Sequence, residues 1–444
     1  ATRGFSAVVS LAASANTGAN PEVRMETRPP MDIVCVLDVS GSMGSDHKLE
    51  NLKHAVDYIR GELTETDRLS VVTFNSSPQF VHNLLRMNPN QKAETQRKTS
   101  QLRASGGTCI LSGLQSAQQV LSARQQANPI TSVFLLTDGV DSSNLAEKKR
   151  TAQVLKEMGS SLFVFGFGND HDSAHLQAIA DAADGMFTFI ERSDMVVDAF
   201  GGVLGAEQSI FATNIELHLR AVNGSAHISQ VESGVYKNLI SADGTGAVVY
   251  YKNLMYGEER DILVVMNVSD TSTELTDGQV LLNTCVRFRP LTRPENEPLL
   301  ESLGADCVVR RVQNVTPGVP RNEIVDVQLN RLLLTRATKQ SMDFADSGNY
   351  SQARSTLQDA LHTLRNSSSV TSIKTQAFIV ELELALNDVR SETEFRSGGG
   401  RSNLSEKAQN YSRQRMCYAK ASSPAMYQNI SSCAQQERAM KSKR

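Results

Sequence analysis

The sequence predicts an α/β protein in which a parallel-sheet domain is inserted in a β-sandwich and followed by an α-helical carboxyl-terminal region. Three observations carry this. From Pro29 to about Val203, strand-length apolar runs alternate with helix-period segments, the pattern of a parallel sheet covered on both faces. On either side the period changes to short strands separated by Gly, Asn and Asp turns, as in a sandwich. Beyond Arg321, apolar residues recur at helical spacing.

The elements follow in order. Residues 5–12 form an isolated strand whose alternating Ala7, Val9 and Leu11 suit a half-buried sandwich position. The parallel sheet draws on 33–37, 69–74, 133–137, 162–167 and 186–190, with 80–85 as an antiparallel edge. Its helices are 48–63, 91–102, 110–122, 145–158, 174–183 and 194–204, and the glycines at 201, 202 and 205 read as a helix stop. Sandwich strands follow at 215–222, 247–251, 261–267, 280–289 and 307–312. The tail carries three apolar stripes: Val325, Leu329, Leu332, Leu333 and Ala337; Tyr350, Ala353, Leu357, Leu361 and Leu364; Ile373, Ala377, Val380 and Leu384. Residues 397–400 read as a flexible Ser-Gly break, and 405–419 and 424–441 as polar helices that need a partner surface. The division expected is 1–28 with 207–312 as the sandwich, 29–206 as the α/β domain and 317–444 as the helical region. Paired connections near Pro29 and Glu207 would let the first two tilt against each other.

The most telling residues are Asp38, Ser40 and Ser42 in Asp-Val-Ser-Gly-Ser, directly after the first strand of the parallel sheet. Open α/β sheets present ligand sites at the carboxyl ends of their strands. One carboxylate and two hydroxyls at alternate positions there are hard oxygen ligands, suited to Mg²⁺, Mn²⁺ or Ca²⁺. Thr108, in a glycine-rich turn before a helix, supplies a third hydroxyl. Asp138, at the end of another strand in Leu-Thr-Asp-Gly, supplies a second carboxylate. Singly, each is an ordinary turn or capping residue; together, in a strand–helix alternation, they make a metal site.

These five positions match, in order, the metal-ion-dependent adhesion site (MIDAS) of the von Willebrand factor A (VWA) family, which residues 29–206 resemble. The resemblance implies a Rossmann-like VWA domain with Asp38, Ser40, Ser42, Thr108 and Asp138 around a divalent ion. The three-part layout is similar to plant WAVY GROWTH-type RING ubiquitin ligases and to VWA proteins with a Hint domain. The chain has neither a RING cysteine–histidine array nor a Hint domain, so ligase and self-splicing activities do not carry over.

Composition narrows the rest. A chain of 444 residues needs two or three domains. Its net charge of −3 gives no footprint for nucleic acid, and no apolar run approaches the ~20 residues of a membrane span. Residues 1–30 lack a signal peptide's pattern, and a chain that begins with Ala1 is what a processed form or a fragment would show, so this absence decides little. Six scattered cysteines form no zinc motif; Cys285 with Cys307, or Cys417 with Cys433, would be the pairs to bridge. The compartment expected is the cytoplasm, with an extracellular alternative kept by sequons at Asn75, Asn223, Asn267, Asn314 and Asn429.

No His joins a nucleophile motif, and the pair His171 and His175 lacks the Glu of a zinc protease. Asp141 is the sole acid near the metal set, too few for a metal hydrolase, and reads as a supporting or turn residue. The expected function is non-enzymatic: a metal-dependent interaction scaffold or adaptor that binds an Asp or Glu of a protein partner. Loops 44–47, 76–79 and 140–144 would set specificity, and the helical tail would dock a second partner. The alternatives are the substrate-recognition part of a ubiquitin-ligase assembly, or a secreted adhesion or matrix protein.

Overall fold

The structure, a computed structural model, describes residues 2–13, 28–139, 141, 144–168, 172–222, 224, 226–269, 275–293, 296–311, 320–416, 426–428 and 430–442. Expectations placed on Val140, Ser142, Ser143, His171, Asn223, Val312, Asn314, Cys417 and Asn429 lie outside these residues.

After β1 (Thr2–Ala12) the chain enters an α/β unit. In order it comprises β2 (Met31–Asp38), α1 (Lys48–Glu62), β3 (Arg68–Phe74), β4 (Pro78–Arg86), α2 (Pro89–Ser100), α3 (Ile110–Ser122), β5 (Ile130–Thr137), α4 (Leu145–Glu157), β6 (Ser161–Phe167), α5 (Ser173–Ala182), β7 (Met186–Ile190) and α6 (Val196–Gln208). The sheet order is β4-β3-β2-β5-β6-β7, parallel except for β4, which runs antiparallel on the edge. All of β2 is buried, and its side chains alternate between two cores. Ile33, Cys35 and Leu37 pack with α1 and α6, and Val34 and Val36 with α3, α4 and α5. At roughly 1.5–3 kcal/mol per fully buried large apolar side chain, this double burial holds the strand ends rigid, and the strand ends carry the site.

The second unit contains β8 (Ile210–Ala221), β9 (Ala226–Glu232), β10 (Asn238–Ile240), β11 (Gly246–Met255), β12 (Glu259–Ser269), β13 (Leu275–Pro290), β14 (Leu300–Leu303) and β15 (Cys307–Arg311). One sheet runs β1-β12-β9; the other runs β10-β11-β8-β13-β14, with β15 also on β13. The first strand thus pairs with β12, Val9 opposite Ile262, and Ala7 and Leu11 enter the core with Leu217, Val249 and Val264. The strands β9, β10 and β14 have no counterpart in the sequence reading. β9 is interleaved with His227, Ser229 and Gln230, and β10 is only three residues long. Both rely on their neighbours' ladders. Cys285 and Cys307 are free, as are Cys35, Cys109 and Cys433.

The helical region comprises α7 (Glu323–Asp346), α8 (Tyr350–Arg365), α9 (Ile373–Asp388), α10 (Glu392–Arg396), α11 (Gly400–Arg413) and α12 (Ile430–Ser442). Three expectations need correction here. The third apolar stripe is rotated: Ile373 is 87% exposed, and Phe378, Ile379, Leu382 and Ala385 are buried instead. The Ser-Gly segment is no flexible break. A Cβ on Gly400 would run into the Asp388 and Glu394 carbonyls, so the glycines permit a tight turn between α10 and α11. Gly201, Gly202 and Gly205 do not stop α6; they sit inside it. A Cβ at 201 would lie 2.7 Å from the Ala439 Cβ, and one at 205 would lie 2.5 Å from the Ser431 carbonyl. The glycines therefore let α12 pack against α6.

Both polar helices find their partner surface within the chain. The Ser432 hydroxyl donates to the Gly202 carbonyl at 2.8 Å, and the Tyr58 hydroxyl on α1 donates to Gln435 Oε1 at 2.7 Å. From α11, Gln409 Oε1 accepts the Phe187 N–H at 2.8 Å, while the Tyr236 hydroxyl donates to the Arg413 carbonyl at 2.9 Å. Just beyond it, Gln414 exchanges two hydrogen bonds with the Asp261 backbone at 2.9 and 2.7 Å. The two units are therefore bridged by the tail as well as by their paired connections, which works against the tilting expected from the sequence.

Candidate metal-ion site

The site lies at the carboxyl ends of β2 and β5. Asp38 closes β2 and is fully buried. Its Oδ1 accepts the Ser40 N–H at 2.8 Å and its Oδ2 accepts the Thr137 hydroxyl at 2.5 Å. The chain then turns through a short 3-10 segment, Gly41–Gly44, anchored by the buried Met43. This turn projects Ser40 and Ser42 to one side, their hydroxyl oxygens 3.1 Å apart. The Ser42 hydroxyl donates to Asp138 Oδ1 at 2.8 Å, so the two strand ends meet.

Thr108 comes from the loop before α3. A Cβ added to Gly139 would lie 2.8 Å from Thr108 Oγ1, which places the hydroxyl against the Asp138-Gly139 turn and makes glycine necessary there. The loop is pinned from several sides. The Gly41 N–H donates to the Gly106 carbonyl at 3.0 Å, the Ser105 N–H to the Val39 carbonyl at 2.8 Å and the Gly107 N–H to Ser76 Oγ at 3.0 Å. Asp141 accepts the Ile110 N–H at 2.7 Å and pairs with the buried Lys148 at 3.1 Å. It acts at the start of α3 rather than beside the serines, in keeping with a supporting residue. All five residues singled out from the sequence thus converge. Ser42 is exposed and Thr108 half-buried, whereas Asp38, Ser40 and Asp138 are buried.

Sequence reasoning missed Lys48. Its ammonium donates to Asp138 Oδ2 at 2.7 Å, in a pair with side-chain exposures of 9% and 0%, and lies 5.6 Å from the Phe167 ring centroid. Asp46 and His47, both left-handed at φ 52° and 56°, turn the chain so that Lys48 opens α1 pointing back at the site. A basic residue at a helix start runs against the macrodipole, and that misfit was the signal available in the sequence. Burial pushes the Asp38 carboxyl up from its ordinary range; the bonds from Ser40 and Thr137 work against this, and the Asp138 charge adds to it.

Two carboxylates, three hydroxyls and no soft ligand form a donor set that fits a hard divalent cation. The lysine ammonium on Asp138 shows that the same spot attracts positive charge. Among the described residues, no group of three or more His, Cys, Asp or Glu gathers anywhere to hold a metal. Any ion here would therefore be held largely by neutral hydroxyls.

Comparison with known proteins identifies the unit that carries these residues. The von Willebrand factor type A domain family model matches residues 32–200. The E3 ubiquitin-protein ligase WAV3 of Arabidopsis thaliana is 26% identical over 80% of this chain and 45% of its own length. Uncharacterized protein sll0103 of Synechocystis is 26% identical over 76% of this chain and 79% of its own. The probable E3 ubiquitin-protein ligase WAVH2 of Arabidopsis thaliana is 25% identical over 66% of this chain and 40% of its own. The chain thus spans less than half the length of these plant relatives. Among solved structures, a von Willebrand factor type A protein from Catenulispora acidiphila superposes with a TM-score of 0.64 at 20% identity, covering 86% of each chain. The six-stranded, mostly parallel sheet flanked by helices and the family match over that same unit lead to one conclusion. Residues 32–200 match the von Willebrand factor type A domain, and the chain as a whole resembles the WAV3 group of plant ligases.

Proposed function

We propose that this protein is a non-enzymatic, metal-dependent interaction scaffold. Asp38, Ser40, Ser42, Thr108 and Asp138 would hold a divalent cation, Mg²⁺ before Mn²⁺ or Ca²⁺, and that ion would capture an Asp or Glu side chain of a partner protein. The observation that carries this reading is the division of labour at the site. The carboxylates are buried and engaged, while Ser42 is exposed to solvent. An ion held mainly by neutral oxygens keeps most of its charge for an incoming carboxylate, which replaces a bound water. On this reading residues 29–206 form the recognition domain, 1–28 with 207–312 the sandwich that carries it, and 317–444 a bracing helical region. Retention of a partner in Mg²⁺ and its release by EDTA, with Asp38→Ala abolishing Mn²⁺ binding in calorimetry, is the expected result. Equal Mn²⁺ titrations of wild type and Asp38→Ala would refute the metal reading.

A second reading rests on the plant relatives, which are named as E3 ubiquitin-protein ligases and align with most of this chain. Here the same surface would select substrates for a ubiquitin-ligase assembly. Co-purification of a RING-bearing protein with the full chain would favour it.

A further inference from the structure

A cavity of about 600 Å³ opens at the other end of the parallel sheet, where β6 and β7 begin. It lies between the α/β unit, the sandwich and the end of α11. Seven Lys and Arg side chains line it, against three carboxylates, Asp184, Glu207 and Glu216. Among the described residues, nearby acids offset part of this charge, and Asp181 lies 3.7 Å from the Arg413 guanidinium. Asp184 is taken by Lys156, and Glu216 bonds to His218 at 3.0 Å. Glu258, behind the wall, answers both Arg260 at 2.7 Å and Arg415 at 2.8 Å. Burial pushes the Glu207 carboxyl up, toward the neutral form.

Two of the arginines carry donors without an acceptor. Arg260 is 1% exposed, stacked 4.5 Å from the Tyr236 ring and 5.2 Å from the Tyr251 ring, and its Nε and Nη1 have no acceptor. The Arg413 Nε is likewise without one. Lys252 donates to the Ser160 carbonyl at 2.7 Å. Lys252 lines the cavity with its side chain exposed to solvent, so its ammonium is open to a ligand. Buried guanidinium donors without acceptors, as on Arg260 and Arg413, are costly, and an anion bound beside them would relieve that cost.

We propose that this cavity binds a small organic oxyanion, with its phosphate or carboxylate groups among Lys252, Lys237 and the arginines and its body against Tyr236 and Tyr251. Held there, the anion locks the α/β unit to the sandwich and to α11. The site is independent of the metal reading, because it lies at the opposite end of the sheet from Asp38.

The test is thermal unfolding of the full chain, titrated with inorganic phosphate and separately with citrate, each against sodium chloride at matched ionic strength. The expected result is a saturable rise in Tm of several degrees with one of the two probes, which also tells phosphate from carboxylate preference. Lys252→Met and Lys237→Met should each weaken the half-saturating concentration at least tenfold while leaving the Tm in chloride nearly unchanged. Asp38→Ala should leave the response intact. A Tm that follows ionic strength alone, or a saturable rise identical in both lysine variants, would overturn the proposal.

Discussion

The ammonium of Lys48 and the carboxylate of Asp138 form a buried ion pair 2.7 Å long inside the candidate metal site. The carboxylate that would serve a divalent cation is thus already satisfied by a resident one. Metal binding there must work against that pair, since two cations share one carboxylate. The protein's own lysine sets a threshold that the ion has to exceed.

Replacing Lys48 by Met should therefore raise the affinity for Mn²⁺ by at least tenfold, equivalent to ~1.4 kcal/mol. It should also lower stability without metal by roughly 3–5 kcal/mol, because Asp138 is left buried and unpaired. Added metal should restore the lost stability, since a ligand that binds only the folded state stabilises it. Calorimetric titration with parallel melting curves reads both effects, and unchanged Mn²⁺ affinity would refute the competition.

Gly139→Ala should weaken Mn²⁺ binding by about an order of magnitude with little change in melting temperature. The new Cβ would meet Thr108 Oγ1 at 2.8 Å, and Thr108 lies on a loop that contributes little to the core. Thr108→Ala should reproduce the loss. If Gly139→Ala bound as tightly as wild type, Thr108 would be separated from the ion.

Stability should fall on acidification from pH ~4.5 toward 2, in part through Glu258. Burial alone would push this carboxyl up, but the charges of Arg260 and Arg415, with bonds from Arg415 and the Met255 N–H, outweigh it and hold it at about 2, against an ordinary 4.5. A carboxyl lowered on folding contributes stability that is complete above its unfolded value and lost as pH falls through its folded one. Glu258→Gln should be less stable at pH 7 and show a shallower decline across this window in urea titrations. Parallel stability curves would rule out the carboxyl as the source.

Gly205→Leu should displace α12 from α6. The approach of the Ser431 carbonyl leaves no room for a side chain, and overpacking of this kind costs ~1–3 kcal/mol. Trypsin should then cut at Arg438 and Lys441 far faster than in wild type. Unchanged cleavage would mean that α12 is not held by this contact.

Much of this architecture is legible in the sequence, because buried parallel strands and amphipathic helices impose strong periods. The ends of β2, β5 and β7 and the start of α1 lie within a few residues of the pattern, and Asp38, Ser40, Ser42, Thr108 and Asp138 do meet. What escaped depends on contacts between distant segments. A glycine cluster reads as a helix stop until α12 is known to lie on it. Residues 373–388 carry apolar side chains on several faces, so periodicity alone picks Ile373 and Val380 where packing selects Phe378 and Leu382. Lys48 shows in the sequence only as a basic residue at a helix start, because the left-handed turn that aims it at Asp138 has no glycine to announce it.

The position of α11 and α12 has a consequence for how the molecule is made and cut. Tyr58 meets Gln435 across 377 positions of chain, and Phe187 meets Gln409 across 222. A ribosome exposes the receiving surfaces long before the segments that cover them. Contacts of such long sequence separation form late and slow folding, and uncovered surface in the interval favours misassembly. Shortened versions ending in the sandwich would stay in that interval permanently. Loss of partner binding on removing the tail would therefore report first on an unfinished α/β unit, and point substitutions at Ser432 or Gln409 are the cleaner probe of what the tail does.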